Sequence, residues 1–206
     1  MENFIITIER GFGSRGKIIG KKLAKELGVE FFEDSIAKRA SEASGINLDE
    51  FLKMERSSRS GISKKLDFIK SGEIITSGIK AHSAENLYNL EAKVLRDYAK
   101  EHSMVTMGIS SNMMFRDYPN ALRINIQANE KMALKEVMER YGEDRKGALA
   151  MIQAKNKQRK EAYKYFTGES WTDVQHFDYV INNSSLTVTQ CVQIIKLLLE
   201  EKLKNS

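Results

Sequence analysis

Gly11, Gly13 and Gly16, with Lys17 directly after them, are the residues whose types and spacing point most directly to chemistry. They lie in the stretch IERGFGSRGKIIG, residues 8–20. Glycines at such intervals let the backbone turn tightly and set its N–H groups against a phosphate at a helix start. Two patterns fit. Gly11-x-Gly13-x-x-Gly16 is a dinucleotide fingerprint, and Gly11-x-x-x-x-Gly16-Lys17 is a phosphate-binding P-loop. Glu33 and Asp34 favour the first, since they stand about twenty residues on, where an acid would hold a ribose hydroxyl. Against it, Glu9 and Arg10 separate the expected strand from Gly11, and the chain is short for a dehydrogenase. A dinucleotide site also has no particular use for Lys17, whereas a P-loop lysine reaches the β- and γ-phosphates.

The P-loop reading is therefore preferred, and it nominates a phosphate- and ATP-binding set of Gly11, Gly13, Ser14, Arg15, Gly16, Lys17 and Ile18. Lys17 is the first catalytic candidate, a positive charge against a transferring phosphoryl group. The plainer alternatives are a turn that needs glycine only for its φ angles and a solvated lysine. A cation in the first turn of a helix is otherwise unfavourable, which argues for a ligand there. Ile18 stands where a P-loop carries the Ser or Thr hydroxyl that ligates magnesium, and it has no atom for that task.

The elements that must position these residues follow from hydrophobic periodicity. Phe4–Ile8 reads as a buried strand, and Ile18, Ile19, Leu23, Ala24 and Leu27 recur at helical spacing before Gly28. Val29–Phe32 is a second strand, so the chain opens as a parallel α/β domain. Residues 35–102 are mostly helical, with breaks near Gly45, 57–61 and 71–78. Further strands are expected at Met104–Met107, Ala121–Ile126 and Phe177–Ile181, and helices at Met132–Tyr141, Arg145–Phe166 and Thr187–Leu203. There is no repeat and no Pro/Gly/Ser linker, so residues 1–206 read as a single domain.

Composition sets the limits. The 206 residues are 41% hydrophobic and 30% charged, as in globular proteins that bury a core without metal or disulfides. The single cysteine, Cys191, lies in an apolar helical pattern and reads as core. No Cys/His cluster has metal-ligand spacing, so no metal site is assigned. No run suits a signal peptide or a membrane span, and a cytoplasmic protein with no membrane partner is expected. The net charge of +5 suits an anionic ligand without arguing for nucleic acid.

Three segments carry a family resemblance. GSRGKIIGKKLAKELGVEFFE resembles the start of the cytidylate kinase-like family, a branch of the P-loop nucleoside monophosphate kinases. MGISSNMMFRDYPNALRINIQAN is similar to that family's third and fourth strand region, and NKQRKEAYKYFTGESWTDVQHFDYVINNSSL to its lid and last strand. The resemblance implies a three-layer α/β fold around a five-stranded parallel sheet. It also implies a helical acceptor-binding insert at about 35–100 and a basic lid at about 143–170. It implies ATP-dependent phosphoryl transfer to a nucleoside monophosphate, nominally CMP, with Mg2+. Arg159 matches the lid arginine and is the second catalytic candidate, in a segment that also holds Lys155, Lys157, Lys160 and Lys164. Glu33 matches an acidic position that contacts the acceptor nucleotide or a metal-bound water, or else it is a surface carboxylate. Trp171 would pack the base of the lid, and Asp178 and Asn182 would be structural or near the adenine.

Departures from the family pattern bear on activity. Gly108-Ile109-Ser110 replaces a Gly-Arg-Asp whose arginine grips the acceptor phosphate. Met132 and Lys135 stand where arginines are common, and Asn156 where Asp is common. A lost charge-assisted contact costs about 1.5–3 kcal/mol. Besides a kinase with degenerate motifs acting on a nucleotide or other small phosphorylated acceptor, two readings stay open. One is a nucleotide-binding protein with lost or weak catalysis. The other, less favoured, is a nucleic-acid binder using the basic 145–166 helix. His82, His102 and His176 receive no role, and oligomeric state is not readable.

Overall fold

The computed structural model describes residues 3–33, 35–53, 74, 83–108 and 110–204. Five strands form one parallel sheet: β1 (Ile5–Arg10), β2 (Glu30–Phe32), β3 (Met104–Thr106), β4 (Ala121–Gln127) and β5 (Tyr179–Asn182), in the order β2-β3-β1-β4-β5. The helices are α1 (Gly16–Leu27), α2 (Ser35–Ser44), α3 (Ala84–Ala99), α4 (Ser111–Met114), α5 (Glu130–Tyr141), α6 (Arg145–Thr167) and α7 (Val188–Lys204). Residues 48–53 are also helical. This is the three-layer α/β architecture read from the sequence. The break at Gly45 is present as a turn, while those near 57–61 and 71–78 lie outside the described residues apart from Ile74.

Strand alternation divides the core. Ile6 and Ile8 of β1, Val105 of β3 and Leu122, Ile124 and Ile126 of β4 point to one side, where Ile19, Leu23, Cys191, Val192 and Ile195 of α1 and α7 cover them. Cys191 is thus a core residue, as its pattern indicated. The opposite face is built by Ile5, Met104 and Ala121 against α3, Met114 and Phe115. That second face changes character along the strands. Toward their carboxyl ends it carries buried Thr7, Glu9, Thr106 and Asn125, with Thr7 paired beside Thr106 and Glu9 beside Asn125. In open parallel sheets the ligand crevice lies beyond the carboxyl ends of the strands, and the polar end of this face points there.

Three boundaries differ from expectation for identifiable reasons. β1 continues to Arg10, because Glu9 and Arg10 pair with Asn125 and Ile126 of β4. Gly11 therefore follows the strand directly, and the spacing objection to the dinucleotide pattern falls away. The argument from Lys17 is unaffected. β5 begins at Tyr179 instead of Phe177: Phe177 closes a short 3₁₀ turn over Val174–His176, and the Asp178 carboxylate binds Arg123. Helix α5 starts at Glu130, two residues earlier than its apolar pattern, because the Asn129 side chain accepts the Met132 N–H at 2.9 Å.

Leu122 is fully buried in the larger core cluster, whereas Leu197 on α7 is 61% exposed. Leu122→Ala is expected to lower unfolding free energy by about 2–5 kcal/mol, and Leu197→Ala to change it by no more than about 0.5 kcal/mol. Urea denaturation of the two variants checks this; equal losses would contradict the core described here.

Candidate active site

A cavity of about 250 Å³ opens where β1 turns into α1. It is lined by Arg10 to Lys17, by Glu33 at the end of β2, by Glu136, Val137, Arg140 and Tyr141 of α5, and by Arg159 of α6. The structure thus brings together Gly11, Gly13, Ser14, Arg15, Gly16, Lys17, Glu33 and Arg159, drawn from three separate parts of the chain. Ile18 is not among the lining residues; it is 41% exposed.

The turn is held by close approach. Gly13 has φ +81°, and a Cβ there would lie 2.8 Å from the Ala133 carbonyl oxygen. A Cβ at Gly16 would lie 2.7 Å from Arg10 Cβ, and one at Gly11 2.7 Å from Gln127 Oε1. Ala133 backbone thus stands where a Gly13 side chain would begin and the Arg10 side chain where a Gly16 one would, and the first turn of α1 faces the cavity. A concave run of backbone at a helix N-terminus suits an anion through its N–H groups and the helix dipole.

The cavity is strongly cationic. Arg10, Arg15, Lys17, Arg140 and Arg159 line it against two carboxylates, Glu33 and Glu136. Lys17 Nζ lies 2.5 Å from Glu33 Oε2, and Arg10 Nη2 lies 3.3 Å from Glu33 Oε1. Arg15, itself in the left-handed region at φ 57°, sets its Nε 2.6 Å from Glu136 Oε2. Arg159 Nη1 donates to the Arg10 carbonyl at 3.0 Å, and its guanidinium lies over the Phe12 ring. Burial, reinforced by Arg10, lowers the Arg159 pKa to about 10, so it remains cationic near neutral pH.

α5 and α6 meet the loop through Phe12, which sequence reasoning did not single out, and through Asn156. Phe12 packs against Ala133, Leu134, Val137, Ala148 and Ile152, and stacks on Tyr141 at 5.7 Å. The Phe12 N–H donates to Asn156 Oδ1 at 2.8 Å, so the departure from the family's Asp at 156 is a contact to the loop itself. Asn183 Nδ2 donates to the Ser14 carbonyl at 2.5 Å. Trp171 is buried and donates Nε1–H to Glu9 Oε2 at 3.3 Å, and the Ser110 N–H donates to Glu9 Oε1 at 2.8 Å. Asp178 ties Arg123, and Asn182 caps the Ser184 turn. The basic character of α6 resolves unevenly: Lys157 lies 3.9 Å from Glu161 on the exposed side, while Arg159 turns inward. Asp34, His82 and Ile109 lie outside the described residues.

Glu9 is the site-adjacent group that composition hid. It falls just past the apolar run Phe4–Ile8, outside the strand expected from sequence, yet it lies on β1 and is only 3% exposed. Burial drives its pKa up to about 7 against the opposing pull of Arg10, the Ser110 N–H, Arg159 and Trp171.

The architecture defines a P-loop kinase fold. Solved structures agree. A protein described as uncharacterized, from Eubacterium ventriosum ATCC 27560, is similar with a TM-score of 0.69 and 22% identity, over 96% of this chain and 99% of that one. Shikimate kinase from Bacteroides thetaiotaomicron gives a TM-score of 0.51 and 13% identity, over 96% and 98%. TT1252 from Thermus thermophilus gives 0.50 and 18%, over 98% of each chain. At these identities the likeness is one of fold. No curated protein matches the chain. The model of the cytidylate kinase-like family matches residues 5–185, and the chain belongs to that family.

Because the folded pKa of Glu9 lies above the ordinary carboxylate value, its contribution to stability is full below about pH 4.5 and is lost as pH rises to about 7. Glu9→Gln removes that dependence. The stability of the variant relative to the parent is expected to rise by about 3 kcal/mol between pH 4.5 and 7. Denaturation curves at both pH values test this, and a difference that does not move with pH would show that the Glu9 pKa is the same in the folded and unfolded chain.

Proposed function

We propose that this chain is a nucleoside monophosphate kinase that transfers a phosphoryl group from ATP, with CMP the nominal acceptor. The observation that carries the reading is the convergence of the Gly11–Lys17 loop and Arg159 on one cationic cavity. The glycines let the loop turn closely enough to present its N–H groups to a phosphate, since a Cβ at Gly13 would meet Ala133 backbone and one at Gly16 the Arg10 side chain. Bound there, ATP would supply the γ-phosphoryl group. The start of α1 and the loop N–H groups would hold its phosphates, with Lys17 against the β- and γ-positions. Arg159, anchored at the Arg10 carbonyl, would offset charge developing during transfer. Glu33, paired with Lys17, would orient the acceptor or a water. Residues 35–100 would serve as the acceptor-binding insert and 143–170 as the lid.

The described residues do not fit a protein-held magnesium ion. Ile18 has no hydroxyl and lies outside the cavity lining, and no group of three or more His, Cys, Asp or Glu among the described residues could hold a metal. No step is assigned to the ion.

A second reading, nucleotide binding with little turnover, is favoured by the pairing of Lys17 and Arg10 with Glu33, which a phosphate must displace. ADP production from ATP, screened against a panel of nucleoside monophosphates, separates the two. Turnover on one acceptor is expected, falling by about 10²–10³-fold in Lys17→Ala. ATP binding that depends on Lys17, with no turnover on any acceptor, would replace the kinase reading with the binding one. No ATP binding would overturn both.

A further inference from the structure

The arrangement of charge around the cavity goes beyond a generic phosphate site. Five cations line it, Arg10, Arg15, Lys17, Arg140 and Arg159, against two carboxylates. Two of the five, Arg15 and Arg140, add to the charge of Lys17 and Arg159, although Arg15 also pairs with Glu136 and Arg140 lies over the Tyr141 ring in the last turn of α5. Arg15 occupies a left-handed backbone conformation that disfavours a side chain, at φ 57° on the loop itself. Arg140 follows Glu136 by one helical turn on α5 and is solvent-exposed at the cavity wall. A guanidinium is permanently charged, and its planar fork suits two phosphate oxygens at once.

On the other side of the balance, the position next to Lys17 offers a divalent cation nothing. The Ile18 side chain is hydrocarbon and is not among the lining residues. Glu33, the described carboxylate facing Lys17, already lies between two cations at 2.5 Å and 3.3 Å. Bringing a doubly charged ion to that carboxylate would set it against both. The free triphosphate of ATP carries more negative charge than its magnesium complex, and the excess of cations in the wall matches the free form better.

We infer that Arg15 and Arg140 neutralise the bound polyphosphate in place of a protein-held magnesium ion, so that free ATP is the preferred ligand and magnesium weakens binding. This rests on the reading that the cavity takes ATP. No covalent change is involved; the inference concerns which ionic form of the nucleotide is bound.

The test is calorimetric titration of the full chain with ATP, in EDTA and in excess magnesium at matched ionic strength. The parent is expected to bind ATP in EDTA at least as tightly as in magnesium. Arg140→Ala, an exposed position whose loss leaves the core intact, should weaken binding in EDTA by about tenfold or more and in magnesium by less. Arg15→Ala should act in the same direction. Circular dichroism confirms that each variant is folded. Parent binding that magnesium tightens about tenfold would overturn the inference and leave the ATP site standing. Equal losses for Arg140→Ala in both buffers would also overturn it. Absence of ATP binding in either buffer would remove the ATP reading and the inference together.

Discussion

At Gly13 and Gly16 the backbone runs so close to its neighbours that a side chain has no room, and the site takes its geometry from that crowding. Gly11 abuts Gln127 of β4, Gly13 abuts Ala133 of α5, and Gly16 abuts the Arg10 side chain at the end of β1. The loop is thus clamped between the central strand, its neighbour and the helix that follows β4. Extension of β1 to Arg10, paired with Ile126, sets where the clamp begins. Interiors are close-packed, so such contacts fix positions to within a fraction of an ångström.

The same clamp organises the charges. Because the loop is pressed against α5, Arg15 meets Glu136, and because Phe12 is embedded between α5 and α6, Arg159 and Asn156 reach the loop backbone. On the other side of β1, Glu9 faces Trp171 and the Ser110 N–H. One strand therefore sends Arg10 toward the cavity and Glu9 into the interior, a consequence of period-two alternation at its last two residues. The polar end of that face is also where α6 docks, through Asn112 Nδ2 to the Tyr163 hydroxyl at 2.9 Å and through the stacked Tyr88 and Phe166 rings.

Much of the fold could be read from patterns with a strong period. The apolar runs of β1, β3 and β4 and the stripes of α1 and α7 lie where periodicity put them, because each buries a full face. Boundaries moved where a specific contact outweighed the pattern, as at Asn129 and Asp178. Of the site, the glycines, Lys17, Glu33 and Arg159 were visible as motif or family positions, and they converge. Glu9, Arg10, Glu136, Arg140 and Tyr141 were not. Single charged or aromatic residues on ordinary strand and helix patterns give no local sign of what lies opposite them.

What the sequence by itself determined was the α/β class, the parallel sheet, the phosphate-type loop and the family, since these depend on local spacing and recurring motifs. Only the tertiary structure decided that five cations from the loop, α5 and α6 share one cavity, that Lys17 and Arg10 share Glu33, and that Asn156 holds the loop amide. Those facts are pairings across as many as 149 positions of sequence, as between Arg159 and Arg10. Charge and hydrogen bonding act through space, and the distances that govern them exist only once the layers have packed.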